Sequence, residues 1–134
     1  MRKLLDGTAM DELAIMRLRE FEAHALRMND DGYWLAFSGG KDSIVILDLA
    51  KRAGVKFEAH YNLTTCDPPE LVWFVRTFPE VQVDRPDMTM WQLIRKKGMP
   101  PRRQARFCCE VLKERGGQDR MVITGVRWGE SNRR

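Results

Sequence analysis

The sequence is short of several things, and each shortage removes a class of protein. Its 134 residues hold 3 cysteines and 2 histidines. Cys66, Cys108 and Cys109 are too few for the framework of a disulfide-stapled secreted domain. His24 and His60 stand far apart and give no metal-ligand spacing. No apolar run approaches the length of about 18 residues that a transmembrane helix needs. The opening stretch, MRKLLDGTAMDEL, places acidic residues where a secretory signal needs an apolar core, so a cytoplasmic location is expected. Internal repeats, low-complexity tracts and linkers are absent. One domain over residues 1–134 is expected, large enough for its own core.

Charge is present in both signs but is not mixed. Residues 1–94 carry 11 Lys/Arg against 15 Asp/Glu, whereas residues 95–134 carry 12 against 4. A basic segment on a slightly acidic body implies an anionic partner: a phosphate, a sulfate or a nucleic acid. A merely solvated basic face is the plainer alternative.

Ala14, Leu18, Phe21, Ala25 and Met28 are spaced by fours and threes, which predicts an amphipathic helix over residues 11–28 within an N-terminal 1–30 segment. Tyr33 to Phe37 is a short apolar run bounded by turns, as in a buried strand. Asp42 to Ala53 follows as a helix closed by Gly54. Strands are expected at Phe57 to Asn62, Val81 to Val83 and Met121 to Thr124. Asp67-Pro68-Pro69-Glu70 reads as an Asp cap, a helical Pro and a Glu three residues after the cap. Thr89-x-x-Gln92 reads as a capping box for a helix ending at Gly98. Residues 104–115 can form a further helix. The alternation predicts an α/β fold: three layers, a mostly parallel twisted sheet and helices on both faces.

The turn Ser38-Gly39-Gly40-Lys41-Asp42-Ser43 joins the first strand to the second helix. Backbone amides at such a turn lack intrahelical partners and the helix dipole adds positive character, so the turn suits a phosphate. Ser38 and Ser43 add hydroxyls, and Lys41 adds a charge. Two familiar phosphate loops are excluded. A Walker A loop would need glycine at Leu35 and Ser/Thr at Asp42, and no G-x-G-x-x-G is present.

This turn resembles the pyrophosphate loop of the ATP pyrophosphatases, the adenine nucleotide alpha hydrolase-like (PP-loop) superfamily. The resemblance implies ATP cleaved between its α- and β-phosphates, AMP passed to an acceptor, and Mg²⁺ as the companion ion. Lys41 and Ser43 become the candidate catalytic residues. Ser38, Gly39, Gly40, Lys41, Asp42 and Ser43 become nucleotide-binding, with Asp42 the candidate Mg²⁺ ligand. "YNLTTCDPPELVWFVR", "RFCCEVLKERGG" and "ITGVRWGESNRR" further resemble the phosphoadenosine phosphosulfate (PAPS) reductase domain family, over roughly Gly32 to Arg134. In an open parallel sheet ligands sit where strand order reverses. With the order 3-2-1-4, Gly125, Arg127 and Glu130 would face the loop, with Arg127 as an anion clamp.

By its place after the third βα unit, the basic stretch resembles the family segment that covers the nucleotide. Arg102, Arg103, Arg106 and Arg133 are the candidate substrate-anion ligands, and a nucleic-acid backbone is the rival partner. Cys108 and Cys109 resemble the paired cysteines that hold a 4Fe–4S cluster in some relatives. With no Cys-x-x-Cys and only Cys66 besides, ordinary thiols are expected and a cluster is not. The complete loop favours ATP cleavage to adenylate an acceptor in sulfur metabolism or in nucleic-acid or nucleobase modification. A PAPS or APS reductase is the second reading, and a non-catalytic nucleotide-binding subunit of a larger complex the third. A homodimer fits each of them, and membrane association fits none.

Overall fold

Glycine and β-branched residues punctuate this chain so that strands and helices alternate. In the computed structural model, which describes residue 7, residues 9–113 and residues 115–126, the order is α1 (Met10–Met28), β1 (Tyr33–Ala36), α2 (Lys41–Ala53), β2 (Phe57–Asn62), α3 (Pro69–Val75), β3 (Val81–Asp84), α4 (Met90–Lys97), a π turn (Cys109–Lys113) and β4 (Val122–Ile123). The four strands form one sheet in the order β3-β2-β1-β4, and every pairing is parallel. Helices flank the sheet, giving the expected α/β fold with its 3-2-1-4 order. Among the described residues no helix is long and apolar enough to cross a membrane.

Period-two alternation divides the sheet into unlike faces. Tyr33, Leu35, Ala59, Tyr61 and Val81 are buried in the main core with Ala25 of α1, Leu47, Ala50 and Ala53 of α2, and Val75 of α3. The register puts Trp34 beside Glu58 and Ala36 beside His60, on a polar opposite face. There His60 is buried, its ring stacked on the Trp34 indole at 3.5 Å and its Nδ1 2.6 Å from the Asp84 carboxylate. Arg120 ion-pairs with Glu58 and donates to the carbonyls of Gly32 and Tyr33, tying the approach to β4 onto β1.

That guanidinium holds the Glu58 carboxyl below its ordinary value of 4.5. A lowered carboxylate contributes stability that is complete above the ordinary value and is lost as pH falls through the lowered one. Between neutral pH and pH of about 3, the thermal midpoint of the native protein should therefore fall about 2–4 °C further than that of Glu58→Gln. Identical acid profiles in scanning calorimetry would remove the pair from the account of acid stability.

Several expected elements change in detail. On α1 the core-facing positions are Ile15, Leu18 and Ala25, while Phe21 and Met28 of the expected stripe are exposed. The docking bonds set this rotation: Arg19 donates to the Ala53 carbonyl, and the Tyr33 hydroxyl donates to that of Leu18. Asp67 does not cap α3. Pro68 holds the cap position, and the Asp67 carboxylate accepts from the Thr64 amide instead. Thr89 and Gln92 do form their capping box, and Gly98 closes α4 in the left-handed conformation. The helix expected over residues 104–115 is cut down to residues 107–108 and the π turn. Arg102 and Ala105 exchange backbone hydrogen bonds and close a turn of their own, so helix cannot begin until after it.

Candidate functional site

The C-terminal ends of β1, β2 and β4 open onto one cleft of about 690 Å³. β1 ends in the glycine turn, where Gly39 has φ +76° and a β-carbon would lie 2.7 Å from Leu71 Cδ1 on α3. Glycine here lets the chain turn sharply while packed against a helix. α2 then starts at Gly40 with no side-chain cap. Its first-turn amides thus face the cleft as donors, and the dipole adds to them.

Ser38 and Ser43 fix the loop from inside. The Ser43 hydroxyl is buried and donates to the Gly40 carbonyl at 2.8 Å; Ser38 Oγ lies 3.3 Å from Ser43 Oγ and accepts from the Gly40 amide at 3.4 Å. Lys41 is exposed and lines the cleft beside Asp42. Across from them, Gly125 packs so tightly that a β-carbon would stand 3.2 Å from Asp42 Cβ and 3.0 Å from Ile46 Cδ1. The segment after β4 therefore closes on the first turn of α2, as the strand order requires.

Ser38, Gly40, Lys41, Asp42, Ser43, Arg106, Cys109 and Gly125 thus share one cleft. Gly39 shapes it from behind. Arg102 and Arg103 are exposed on the closed turn that precedes Arg106 and do not line it. Arg127, Glu130 and Arg133 lie outside the described residues. Cys108 and Cys109 sit together at the start of the π turn. Burial first, then the neighbouring Cys109, pushes the Cys108 thiol up, which keeps it protonated at neutral pH. Cys66 is exposed after β2, and among the described residues no group of three or more His, Cys, Asp or Glu is placed to hold a metal.

Lys113 and Arg115 of the basic stretch also line the cleft, and so do Trp34 and Asn62, which the sequence does not mark for a site. Asn62, at the end of β2, donates from Nδ2 to the carbonyls of Lys113 and Arg115, both at 2.8 Å. One amide thus pins the basic segment over the loop. Beyond it, Gly116 (φ +84°) lies against the indole, where a β-carbon would stand 2.3 Å from Trp34 Cζ2. Asn62→Ala should release that segment and speed amide hydrogen exchange of Gly116 about tenfold, the worth of two modest hydrogen bonds. Exchange unchanged from the native protein would deny Asn62 this positioning role.

A smaller recess of about 200 Å³ shares Ala36, Ser38, Asn62 and Lys113 with the cleft. Phe37, Tyr61 and Leu71 give it apolar walls, and Thr64 and Asp67 give it polar edges. Burial, followed by the Asp67 carboxylate, pushes the Tyr61 phenol far up, so it stays neutral.

Comparison with known proteins adds one match. The family model of the phosphoadenosine phosphosulfate reductase domain covers residues 32–134. No curated protein and no solved structure matches the chain.

Proposed function

The chain belongs to the phosphoadenosine phosphosulfate reductase domain family, within the PP-loop superfamily, and on that premise we propose that it is an enzyme that cleaves ATP between the α- and β-phosphates and adenylates an acceptor. The supporting observation is the uncapped start of α2, with Lys41 lining the same cleft and Gly125 closing it from β4. That arrangement offers amide donors and one cation to a polyphosphate, and its Lys41 is intact.

In this reading the nucleotide spans both cavities. The base enters the recess walled by Phe37, Tyr61 and Leu71, and the β- and γ-phosphates lie on the amides of Lys41, Asp42 and Ser43. An acceptor oxygen attacks the α-phosphorus. A new P–O bond forms, the bond to the α–β bridging oxygen breaks, and pyrophosphate leaves with the negative charge; a hydroxyl acceptor releases its proton to solvent. Lys41 and the amides stabilise the charge that grows on the departing oxygen. Arg106, Lys113 and Arg115 hold the α-phosphate and the acceptor side.

Mg²⁺ fits this donor set. Asp42 is the one carboxylate among the described residues that line the cleft, and Mg²⁺ in nucleotide sites takes one or two carboxylates together with phosphate oxygens and water. Bound there, it would neutralise polyphosphate charge.

Incubation with ATP and Mg²⁺ should release pyrophosphate, one for each AMP moiety passed to the acceptor of an added extract or, in its absence, to water, read by an enzyme-coupled pyrophosphate assay. ATP that is bound but never cleaved, with or without an added acceptor extract, would leave a nucleotide-binding subunit in place of an enzyme. Cys109 in the cleft wall favours one second reading, reduction of PAPS or APS. Thiol-dependent release of sulfite, without pyrophosphate release from ATP, would establish that reading and displace the first.

A further inference from the structure

Between Asp87 and Glu110 the chain has six cations and no carboxylate: Arg95, Lys96, Lys97, Arg102, Arg103 and Arg106. All six are exposed. Among the described residues none of them forms an ion pair, whereas Lys51, Arg52 and Arg120 are paired with Glu80, Asp11 and Glu58. Other cations of the body are also unpaired among the described residues; what sets this segment apart is that six of them follow one another with no carboxylate between Asp87 and Glu110. Helix electrostatics explains only part of that. Arg95, Lys96 and Lys97 complement the C-terminal end of α4, but Arg102, Arg103 and Arg106 lie beyond any helix end.

The geometry gathers these charges on one path. Lys97 Nζ stands 5.9 Å from the centre of the Phe107 ring, which brings the end of α4 back to the segment bordering the cleft. The reciprocal bonds of Arg102 and Ala105 hold Arg103 at the tip of a closed turn. Arg106, the last of the six, lines the cleft itself. At the far end stands Trp91, 70% exposed and one helical turn before Arg95, so that indole and guanidinium share a face. A flat aromatic beside a row of free cations is what a single-stranded nucleic acid requires: cations follow the phosphates, and the ring takes an unpaired base.

We propose that α4 and the 102–106 turn form a binding surface for single-stranded nucleic acid, leading past Arg106 into the cleft. As the identity of the acceptor, this rests on the adenylation reading; as a binding surface, it does not. A duplex keeps its bases stacked and leaves Trp91 without a partner. A lipid surface would need a broad apolar face, and besides Trp91 the exposed residues of α4 are Gln92, Arg95, Lys96 and Lys97.

The test is fluorescence anisotropy of the full chain with a fluorescein-labelled oligothymidylate of about 20 nucleotides, without ATP, over a range of salt. Affinity should fall with salt on a log–log line. Replacing three cations in R95Q/K96Q/K97Q should weaken binding at least about tenfold and flatten that line by about 2, near 0.7 for each lost phosphate contact. R102Q/R103Q should flatten it by about 1.4. Trp91→Ala should weaken binding about fivefold at unchanged slope, the mark of stacking. No binding at low salt, binding indifferent to both charge variants, equal affinity for the duplex, or preference for phosphatidylserine vesicles would each overturn the proposal. Pyrophosphate release is measured separately. Its persistence without oligothymidylate binding removes this inference alone, and the reverse removes only the adenylation reading.

Discussion

Lys41→Ala should lower pyrophosphate release about 100- to 1000-fold while leaving the thermal midpoint unchanged, the cost typical of losing one preorganised stabiliser of transition-state charge. The side chain is exposed and no salt bridge engages it among the described residues, so its removal disturbs no packing. What is lost is the cation at the start of α2, on the loop side of a cleft whose other cations, Arg106, Lys113 and Arg115, line it from the basic segment. Lys41→Arg keeps the charge on a wider, planar head and should recover part of the rate. Ser43→Ala differs in kind. That hydroxyl is buried and bonded to the Gly40 carbonyl, so loss of stability should accompany loss of rate. Full activity in Lys41→Ala would take the residue out of the chemistry and leave the loop as a binding device only.

Gly32→Ala should be the most damaging single-methyl change for the fold. Its φ is +73°, and an added β-carbon would stand 2.2 Å from the Lys56 carbonyl oxygen. That oxygen already accepts from the Tyr33 amide at 3.0 Å, the bond that starts the pairing of β1 with β2. Backbone on both sides leaves nothing able to rotate away. Left-handed strain of about 1 kcal/mol and displacement of the strand start together reach about 3 kcal/mol or more, a drop of roughly 10–15 °C in thermal midpoint. Gly54→Ala and Gly98→Ala are the matched controls. Their φ values are +69° and +70°, but a β-carbon would meet nothing within 4 Å. They should lose only about 4 °C, the strain alone. Equal losses at all three positions would show that crowding at Lys56 is relieved in some other way.

The loop was legible in the sequence because all its signals are local. An apolar strand, two adjacent glycines, a lysine and an apolar helix occur within some twenty residues, and each has one physical use there. The strand order was expected only with the resemblance that this stretch carries, and Gly125 was expected to face the loop only on that order; the structure has the order and sets Gly125 against Asp42. The rest of the cleft was not legible, because its signals are not local. Asn62 reads as an unremarkable strand end until register delivers it to carbonyls 51 and 53 residues away. Trp34 reads as one more apolar strand residue until alternation turns it to the polar face. The basic stretch shows its charge in the sequence, but only the closed turn at Arg102 and Ala105 separates Arg106, which borders the cleft, from Arg102 and Arg103, which do not. Asp67 has every mark of a cap and is claimed instead by the Thr64 amide, a competition that spacing cannot decide.

The pairing of β1 with β4 is the thinnest part of the sheet, with Trp34 opposite Val122 and Leu35 opposite Ile123. Its two strands are separated by most of the chain. Joining them closes a longer loop than either of the other two strand pairings, so the entropy lost is large and the number of bonds gained is small. β1, α2 and β2 assemble from neighbours and need no such closure. Folding should therefore place β4 last, and opening should release it first, as a unit of low local stability. Because Gly125 lies two residues beyond β4, the cleft is whole only while that strand is docked. A polyphosphate that touches both α2 and the end of β4 then acts as a staple as well as a cargo. Amide hydrogens of Val122 and Ile123 should exchange faster than those of β2 in the free protein, and should slow most when the cleft is filled.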